Sequence, residues 1–406
     1  MKKIVILFLF IFLISSCNPK GDNSDKDFRV IDIAGNIGSG RIVKLSEIAD
    51  EIIYIPLETT ENSLVGTPRN IYYSNGLIYI YSSKNHPVKI FNRDGVFIRE
   101  FNRRGRGPEE YEDFVSMQVD DSTGNIYVES SNKINEYNPC GVFLKSVDKQ
   151  KAFSAEHQLR LFAKMDNNLY IFSSKLGQNF ANSYVAIDSL STIKLTLPYT
   201  EDEKIFIKIN ARIDLFKTPY KFKDVVRIVA SAGDYILSID KNLNIDTSYI
   251  FNYGKYKITK DNISALSNSD ELIFRSSDIL ESENFLFFQL HLGKQAHKPQ
   301  ELIANRGKGN IVKIPRTYAL FNKKEGKLTF ADQPHINQKG FADDLDGGPA
   351  FWPINISSTG YMLSFISAED FICFSGKEGC TEKFKQIVSK LKVTDNPIVL
   401  MVKLNN

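Results

Sequence analysis

The chain has 406 residues, with 51 lysine and arginine residues against 48 aspartate and glutamate residues and a formal net charge of +3. Because no basic run exceeds two residues, the sequence lacks the basic stripe with which proteins displace counterions from nucleic acids, and we predict no nucleic-acid partner. The sequence contains no P-loop, Gly-x-Ser-x-Gly or Cys-x-x-Cys motif, and its five histidines show no paired metal-ligand spacing. We therefore predict no catalytic residue, metal or cofactor.

The first 16 residues are organised as an export signal. Lys2 and Lys3 precede an apolar run over residues 4–14, which is too short to cross a hydrocarbon core of about 30 Å. Residues 14–17, Ile-Ser-Ser-Cys, resemble the lipobox of bacterial lipoproteins, and this resemblance implies that Cys17 carries the lipid. The alternative is an ordinary secretory signal that happens to contain a cysteine.

Residues 17–40 are predicted to form a flexible tether, because the polar segment before Phe28 cannot bury enough apolar surface to offset the entropy of ordering. The acidic residues Asp22, Asp25 and Asp27 are similar to export signals of some Gram-negative surface lipoproteins. We expect a protein held in the cell envelope by its N-terminal lipid, at the outer membrane, on either its periplasmic or its surface face.

Residues 41–406 are predicted to form one β-propeller. Residues 76–83 and 88–95 are followed by similar segments at 124–131 and 133–141, which end 48 and 46 residues further on. Repeats of about 40–50 residues built from alternating strands are typical of propeller blades. Ile78 and Ile80 alternate with Tyr79 and Tyr81, so both sides of this strand are apolar, as face-to-face stacking of blades requires.

Weaker copies of the pattern predict further blades at 167–197, 225–251 and 285–330. A sixth blade combines residues 361–365 and 397–402 with an outer strand at 52–57, which closes the ring and removes open sheet edges. Helical spacing of the apolar residues between Thr381 and Lys392 predicts a short helix on that blade. The expected fold is thus all-β: a six-bladed β-propeller closed by an N-terminal strand, with a short C-terminal decorating helix. Five or seven blades are the alternatives.

Four further stretches have a recognisable pattern: Ile-Pro-Leu-Glu-Thr-Thr at 55–60, Gly-Arg-Gly-Pro-Glu-Glu-Tyr at 105–111, Leu-Asp-Gly-Gly-Pro-Ala-Phe-Trp-Pro at 345–353, and Asp-Asn-Pro-Ile-Val-Leu at 395–400. With the lipobox, they resemble the six-bladed β-propeller lipoproteins of Gram-negative bacteria, which are related in fold to NHL and TolB-like propellers. The second stretch departs from that family, which usually has a glycine where this chain has Glu109 or Glu110. The resemblance implies a fold and an envelope location, and no activity.

Propeller connectivity places the loops between blades on one face of the disc, opposite the turns after Asn92 and Asn138. The candidate binding residues on that face are Arg104, Arg106, Glu109, Tyr111, Asp346 and Trp352. Here guanidinium groups could grip a carboxylate, a phosphate or sugar hydroxyls while an aromatic ring stacks on the ligand. The alternatives are a loop held by its own salt bridges and, for Trp352, a place in the core.

Two further features leave alternatives open. Cys373 and Cys380 enclose a loop short enough for a disulfide in an oxidising compartment, or they are two free thiols. His291, His297 and His335 could meet near the fifth blade, or they are scattered surface residues.

The expected function is that of a lipid-anchored binding or interaction module for a glycan, a peptide or an outer-membrane protein. A metal-assisted propeller hydrolase or lyase, and a structural accessory of an outer-membrane complex, are the alternatives.

Overall fold

The computed structural model describes residues 29–83, 86–152, 159–166, 168–174, 182–201, 203–204, 218–229, 234–262, 271–304, 309–375 and 379–405. The predicted signal peptide, Cys17 and the tether as far as residue 28 lie outside these ranges. Within them the main sheets follow one another along the chain as six blades, which confirms the predicted six-bladed β-propeller.

Blades 1 to 3 each consist of four consecutive antiparallel strands. From the inner to the outer strand they are Asn70–Ser74, Leu77–Tyr81, Val88–Asn92 and Phe97–Phe101 in blade 1; Ser116–Val119, Ile126–Glu129, Lys133–Tyr137 and Phe143–Asp148 in blade 2; and Leu159–Lys164, Tyr170–Ser174, Asn182–Ile187 and Ile193–Pro198 in blade 3. A short helix, Lys149–Ala152, follows blade 2.

Blades 4 to 6 keep this order with additions. Blade 4 contains Tyr220–Phe222, Val225–Val229, Tyr235–Ile239 and Ile245–Asn252; blade 5 contains Phe274–Arg275 and Leu280–Glu281 as two short inner strands, then Phe285–His291, Arg316–Asn322 and Lys327–Ala331; and blade 6 contains Asn355–Ile356, Tyr361–Ile366, Ile398–Leu404 and Ala49–Pro56. A hairpin of Gln300–Ala304 and Asn310–Ile314 extends from blade 5. Helices Ala368–Ile372 and Glu382–Val388 extend from blade 6, and the second is the predicted decorating helix. Short 3-10 helices occur at Ala34–Asn36, Leu45–Glu47, Gly254–Tyr256 and Gly293–Gln295.

Each blade is apolar on both sides and packs against both of its neighbours. Ile78 and Ile80, both fully buried, pack with Val399 of blade 6, while the intervening Tyr79, also fully buried, packs with Val128 of blade 2. Fully burying one such aliphatic side chain contributes about 1.5–3 kcal/mol. Two-sided burial therefore fixes the radial stacking of the blades.

The ring closes where the N-terminal and C-terminal segments share blade 6. Ala49–Pro56 pairs antiparallel with Ile398–Leu404 along its whole length, which confirms the predicted closing strand. Two of the stretches that carry the family resemblance meet at this junction, because the Asn396 side chain donates to the carbonyls of Glu58 (2.7 Å) and Ser63 (2.9 Å) and accepts from the amide of Val65 (2.8 Å). These hydrogen bonds hold the N-terminal and C-terminal segments together where the ring closes.

The structure differs from the predicted tether between residues 29 and 40. Arg29–Asp32 is a strand that pairs in parallel with the outer strand of blade 4, and the side chains of Ile31 and Ile33 are fully buried. The physical reason is a short apolar alternation at Ile31 and Ile33, which provides enough burial to order the segment. The flexible tether predicted for residues 17–40 therefore does not include residues 29–40.

The disc has two faces that differ in the connections they carry. We call the side with the turns between the first and second and between the third and fourth strands of each blade the turn face. The opposite side, with the loops between blades and the loops between second and third strands, is the loop face. Residues 102–115 and 332–354 join successive blades and lie on the loop face, where connectivity predicted them.

The inner turns of different blades contact one another on the turn face. Ser74 of blade 1 donates to the carbonyls of Asp120 (3.1 Å) and Asp121 (2.9 Å) of blade 2, and the Asp121 carboxylate accepts from the backbone amide of Ser358 in blade 6. Burial of the Asp121 carboxyl raises its pKa from the ordinary 3.8 to about 6. This carboxylate is therefore costly to ionise in the folded protein.

Replacing Asp121 by asparagine is expected to stabilise the protein near neutral pH, because the amide carries no charge and its oxygen still accepts from Ser358. The folded pKa of Asp121 lies above the unfolded value, so its contribution to stability is complete below about pH 4 and is lost as the pH rises through about 6. Thermal unfolding of both proteins at about pH 5 and about pH 7.5 measures this, with the asparagine variant gaining more at the higher pH. An equal difference in melting temperature at both pH values would contradict it.

Candidate functional site

The loop between blades 1 and 2, residues 102–115, is held by its own hydrogen bonds. The amide of Tyr111 donates to the carbonyl of Arg103 (3.0 Å), and the amide of Gly105 donates to the carbonyl of Tyr111 (3.0 Å). The Glu110 carboxylate folds back to accept from the amide of Gly107 (2.9 Å). These hydrogen bonds within the loop define its backbone shape.

The candidate residues in this loop have different surroundings. Tyr111 is buried, and its ring packs beside Phe101 and Phe114. The prediction that this ring stacks on a ligand is therefore corrected: the ring belongs to the core between blades 1 and 2.

The charged candidates of the loop are exposed. Arg106 forms an ion pair with Glu112 (3.1 Å), with the two side chains 88% and 69% exposed. Arg104 Nε donates to the carbonyl of Glu112 (3.3 Å), and Glu109 contributes a carbonyl that accepts from Tyr137 (2.8 Å). A binding role for Arg104, Arg106 and Glu109 stays a prediction.

Asp346 lies on the loop of residues 332–354, and its contacts hold the fold together. Its carboxylate is buried and accepts from Lys383 Nζ (2.8 Å) and from the hydroxyl of Thr381 (3.1 Å). Thr381 is the N-cap of helix Glu382–Val388, so Asp346 fastens that helix to the loop.

Trp352 is half-buried among aromatic side chains. Its ring centroid lies 4.4 Å from that of Tyr318, 5.3 Å from that of Phe341 and 6.0 Å from that of Phe287. Of the two interpretations of this tryptophan, the contacts favour a place in the core wall over a platform for a sugar.

A pocket of about 310 Å³ lies beside this loop and includes His335, Asp343, Asp344 and Gly348 in its lining. The Asp343 carboxylate accepts from Tyr54 and from the amides of residues 345, 346 and 348, and Asp344 accepts twice from Ser46. Burial raises the pKa of the Tyr54 hydroxyl, with the Asp343 charge adding to the effect. Both carboxylates are thus engaged in holding the loop.

The three histidines considered together in the sequence occupy different surroundings. His291 stacks on Phe274 with ring centroids 4.6 Å apart, His297 Nδ1 lies 2.8 Å from an Asp332 oxygen, and His335 lines the small pocket. Among the described residues, no group of three His, Cys, Asp or Glu side chains is arranged to hold a metal ion.

Cys373 and Cys380 are free thiols in the structure, one exposed and the other buried. The Cys380 thiol donates to the carbonyls of Gly347 (3.2 Å) and Phe374 (3.3 Å). Of the two alternatives, a disulfide or two free thiols, the structure has the free thiols, and a disulfide between these cysteines stays a prediction.

A larger pocket, of about 540 Å³, opens on the turn face between blades 4 and 5, and we call it the blade 4/5 pocket. Its lining includes Arg29, Phe222, Arg227, Thr247, Ser248 and Lys323. None of the binding residues predicted from the sequence lines this pocket.

A fully buried carboxylate, Glu281, lies behind the blade 4/5 pocket. It accepts from Lys323 Nζ (2.7 Å), Arg227 Nε (3.1 Å) and the hydroxyls of Tyr220 (3.0 Å) and Tyr249 (3.2 Å). Four donors from two blades therefore converge on one negative charge, as a buried carboxylate requires.

The local structure of blades 4 and 5 orients Arg227 and Lys323 toward the Glu281 carboxylate. Arg227 lies on the second strand of blade 4, and it also donates to the hydroxyls of Ser238 and Ser248. Ser248 is the extra residue of a β-bulge in the outer strand, where Tyr249 pairs with Ile236 and Thr247 with Leu237. The bulge turns the Ser248 hydroxyl toward the arginine.

Lys323 reaches the pocket from the outer turn of blade 5. Its ammonium lies 4.0 Å from the centre of the Phe222 ring and donates to the carbonyl of Ser282 (2.6 Å). Burial lowers the pKa of this lysine, and the charge of Glu281 opposes that shift. The ammonium is held between an aromatic face and a carboxylate.

The family described as Domain of unknown function (DUF4934) matches residues 28–403. The chain belongs to the DUF4934 family. None of the curated proteins is significantly similar to it.

Two solved structures from Bacteroides resemble this DUF4934 protein. One is a protein of Bacteroides fragilis NCTC 9343 described as exported, with 15% identity and a TM-score of 0.61 over 93% of this chain and 100% of that chain. Another is a member of the duf4221 family from Bacteroides vulgatus ATCC 8482, with 11% identity and a TM-score of 0.49 over 88% of this chain and 98% of that chain. At this identity the first similarity shows the fold alone. In the part of the DUF4934 chain that the structure describes, no helix has the length and apolar character needed to span a membrane.

Replacing Trp352 by alanine is expected to destabilise the protein by about 2–3 kcal/mol, because it leaves a cavity among aromatic side chains. Replacing Arg106 by alanine is expected to cost less than about 1 kcal/mol, because its ion pair is exposed to solvent. Chemical denaturation of the two variants and the parent protein measures both values. A Trp352→Ala variant as stable as the parent protein would show that this side chain is free to serve a ligand.

Proposed function

We propose that this DUF4934 protein is an exported, lipid-anchored β-propeller of the bacterial envelope that acts as a binding module and holds a soluble ligand in the blade 4/5 pocket. The observation that carries the proposal is the concave site of about 540 Å³ into which Arg227, Lys323 and Ser248 project. Ligand pockets of proteins usually measure about 300–1,000 Å³ and combine apolar walls with a few placed polar groups.

The lining of the pocket fits this description. The Phe222 ring supplies an apolar wall, and Thr247 and Ser248 supply hydroxyl groups. The network around Glu281 holds Arg227 and Lys323 in place before any ligand arrives, which lowers the entropy cost of binding.

The proposed location in the cell envelope rests on the sequence. Residues 1–16 are organised as an export signal, and the segment that ends at Cys17 resembles a lipobox. The strand Arg29–Asp32 attaches the chain to the rim of blade 4, so a lipid on Cys17 would connect to the propeller through residues 18–28.

Replacing Cys17 by serine is expected to abolish lipid attachment and to release the protein from membranes, because serine has no thiol to accept the lipid. Metabolic labelling with an alkyne-tagged palmitate, followed by membrane fractionation, measures both effects in a Gram-negative host. Cys140→Ser is the matched control, since Cys140 is an exposed thiol on blade 2 and its loss should change neither result. A Cys17→Ser protein that stays labelled would contradict the anchor.

Replacing Thr247 by tryptophan is expected to fill the blade 4/5 pocket and to abolish ligand binding while the fold is kept. Thermal shift with a panel of neutral monosaccharides, hexuronic acids and dipeptides measures this, and at least one probe should raise the melting temperature of the parent protein. Thr196→Trp, an exposed threonine on the outer strand of blade 3, is the matched control and should respond like the parent.

Two results of this experiment would overturn the pocket as the binding site. One is the absence of a shift with every probe. The other is a shift that Thr247→Trp leaves unchanged, which would move attention to the loop face with Arg104, Arg106 and Glu109. A protein that binds no probe but co-purifies with an outer-membrane complex would be a structural accessory instead.

A further inference from the structure

We infer that the ligand of the blade 4/5 pocket is a small sugar acid, a polyhydroxylated monocarboxylate of the hexuronic acid class. This inference rests on the proposed function and adds the chemistry of the ligand to it. It depends on the balance of charge in the pocket, on the guanidinium of Arg29, which is unpaired among the described residues, and on the hydroxyl-binding groups beside it.

The charged groups around the pocket leave one positive charge in excess. Among the described residues, three cations line it, Arg29, Arg227 and Lys323, while Glu281 pairs with the last two and Asp246 supplies a second carboxylate. The remaining lining carboxylate, on Glu283, is already neutralised by Lys223 at 2.6 Å. Because Arg227 and Lys323 are only 12% and 5% exposed, water screens this excess weakly, and an anion in the pocket would balance it.

Arg29 supplies the donor that is available to such an anion. Its guanidinium lines the pocket and has no hydrogen-bond or ion-pair partner among the described residues, whereas the donors of Arg227 and Lys323 already contact Glu281, serine hydroxyls or a carbonyl. Pairing of Arg29 with Tyr249 in the parallel strand fixes the backbone from which the side chain reaches. A guanidinium in this position matches the two oxygens of a carboxylate.

The size of the excess charge favours a monoanion over a phosphate group. One carboxylate cancels one positive charge. A phosphate dianion would bring a second negative charge close to the Asp246 carboxylate, in a site with no further unpaired cation among the described lining residues.

The neighbouring groups suit hydroxyls. The Asp246 carboxylate, which has no ion-pair partner among the residues described, can accept from sugar hydroxyls, and the Thr247 and Ser248 hydroxyls can donate or accept. The Phe222 ring offers an apolar surface for the C–H groups of a sugar ring. Carboxylate, hydroxyls and an apolar ring face occur together in a hexuronic acid.

Isothermal titration of the purified full chain with D-glucuronate, D-galacturonate, D-glucose, D-galactose and inorganic phosphate tests the inference. At least one uronate should bind, and the corresponding neutral hexose and phosphate should each bind at least about tenfold more weakly. The hexose lacks the carboxylate that Arg29 would bind, and phosphate lacks the hydroxyl-bearing sugar ring. Arg29→Ala should weaken uronate binding by about tenfold or more, with partial recovery in Arg29→Lys.

Arg41→Ala is the matched control, since this arginine pairs with Glu47, does not line the pocket, and its loss should leave uronate binding unchanged. The inference is overturned if neither uronate binds, if the neutral hexoses or phosphate bind as tightly as the uronates, or if Arg29→Ala binds uronate like the parent. Neutral hexose binding that Thr247→Trp removes would overturn the ligand class and leave the proposed function standing. The absence of binding by every probe in both experiments would overturn both.

Discussion

The structure depends on the burial of both sides of every blade. A strand with apolar side chains on one side can rest on a single layer, but Ile78, Tyr79 and Ile80 leave no side for solvent and require a neighbour on each. An open stack would expose the outer faces of its first and last blades, so the chain has to form a ring. The pairing of Ala49–Pro56 with Ile398–Leu404 meets this requirement, and the position of every loop and turn follows from it.

The parts of the fold that could be predicted are those with a local signal. Strand patterns with a two-residue period and glycine turns repeat at 76–95 and 124–141. The apolar strand before them, at 52–57, has no local partner, and only the closure of the ring indicates its position. The segment at 29–40 was missed because its few apolar residues give little local signal, and the burial of Ile31 and Ile33 depends on blade 4, more than 200 positions away. The divided inner strand of blade 5 was missed for a similar reason, since two-residue strands carry no measurable periodicity.

The candidate site was harder to predict because residue type does not report burial. Tyr111 and Trp352 lie among charged or glycine-rich neighbours in sequence, yet the Tyr111 ring packs beside Phe101 and the Trp352 ring beside Tyr318, both of which lie on strands. The groups around the blade 4/5 pocket come from Arg29, Arg227, Glu281 and Lys323, four separate segments that meet only when blade 5 packs on blade 4 and the N-terminal strand joins blade 4. The one local signal was an arginine in the middle of the apolar strand Val225–Val229, where a charge requires a buried partner.

The N-terminal strand Arg29–Asp32 has a mechanical consequence. It is held to blade 4 by a single parallel ladder with four residue pairs, and Arg29 forms the first of them. In an anchored protein, a force along the tether would load that pair before any other and would detach the strand from this end. The residue exposed first to tension is the same one that lines the pocket, so pulling on the anchor would change the shape of the site before it disturbed any blade.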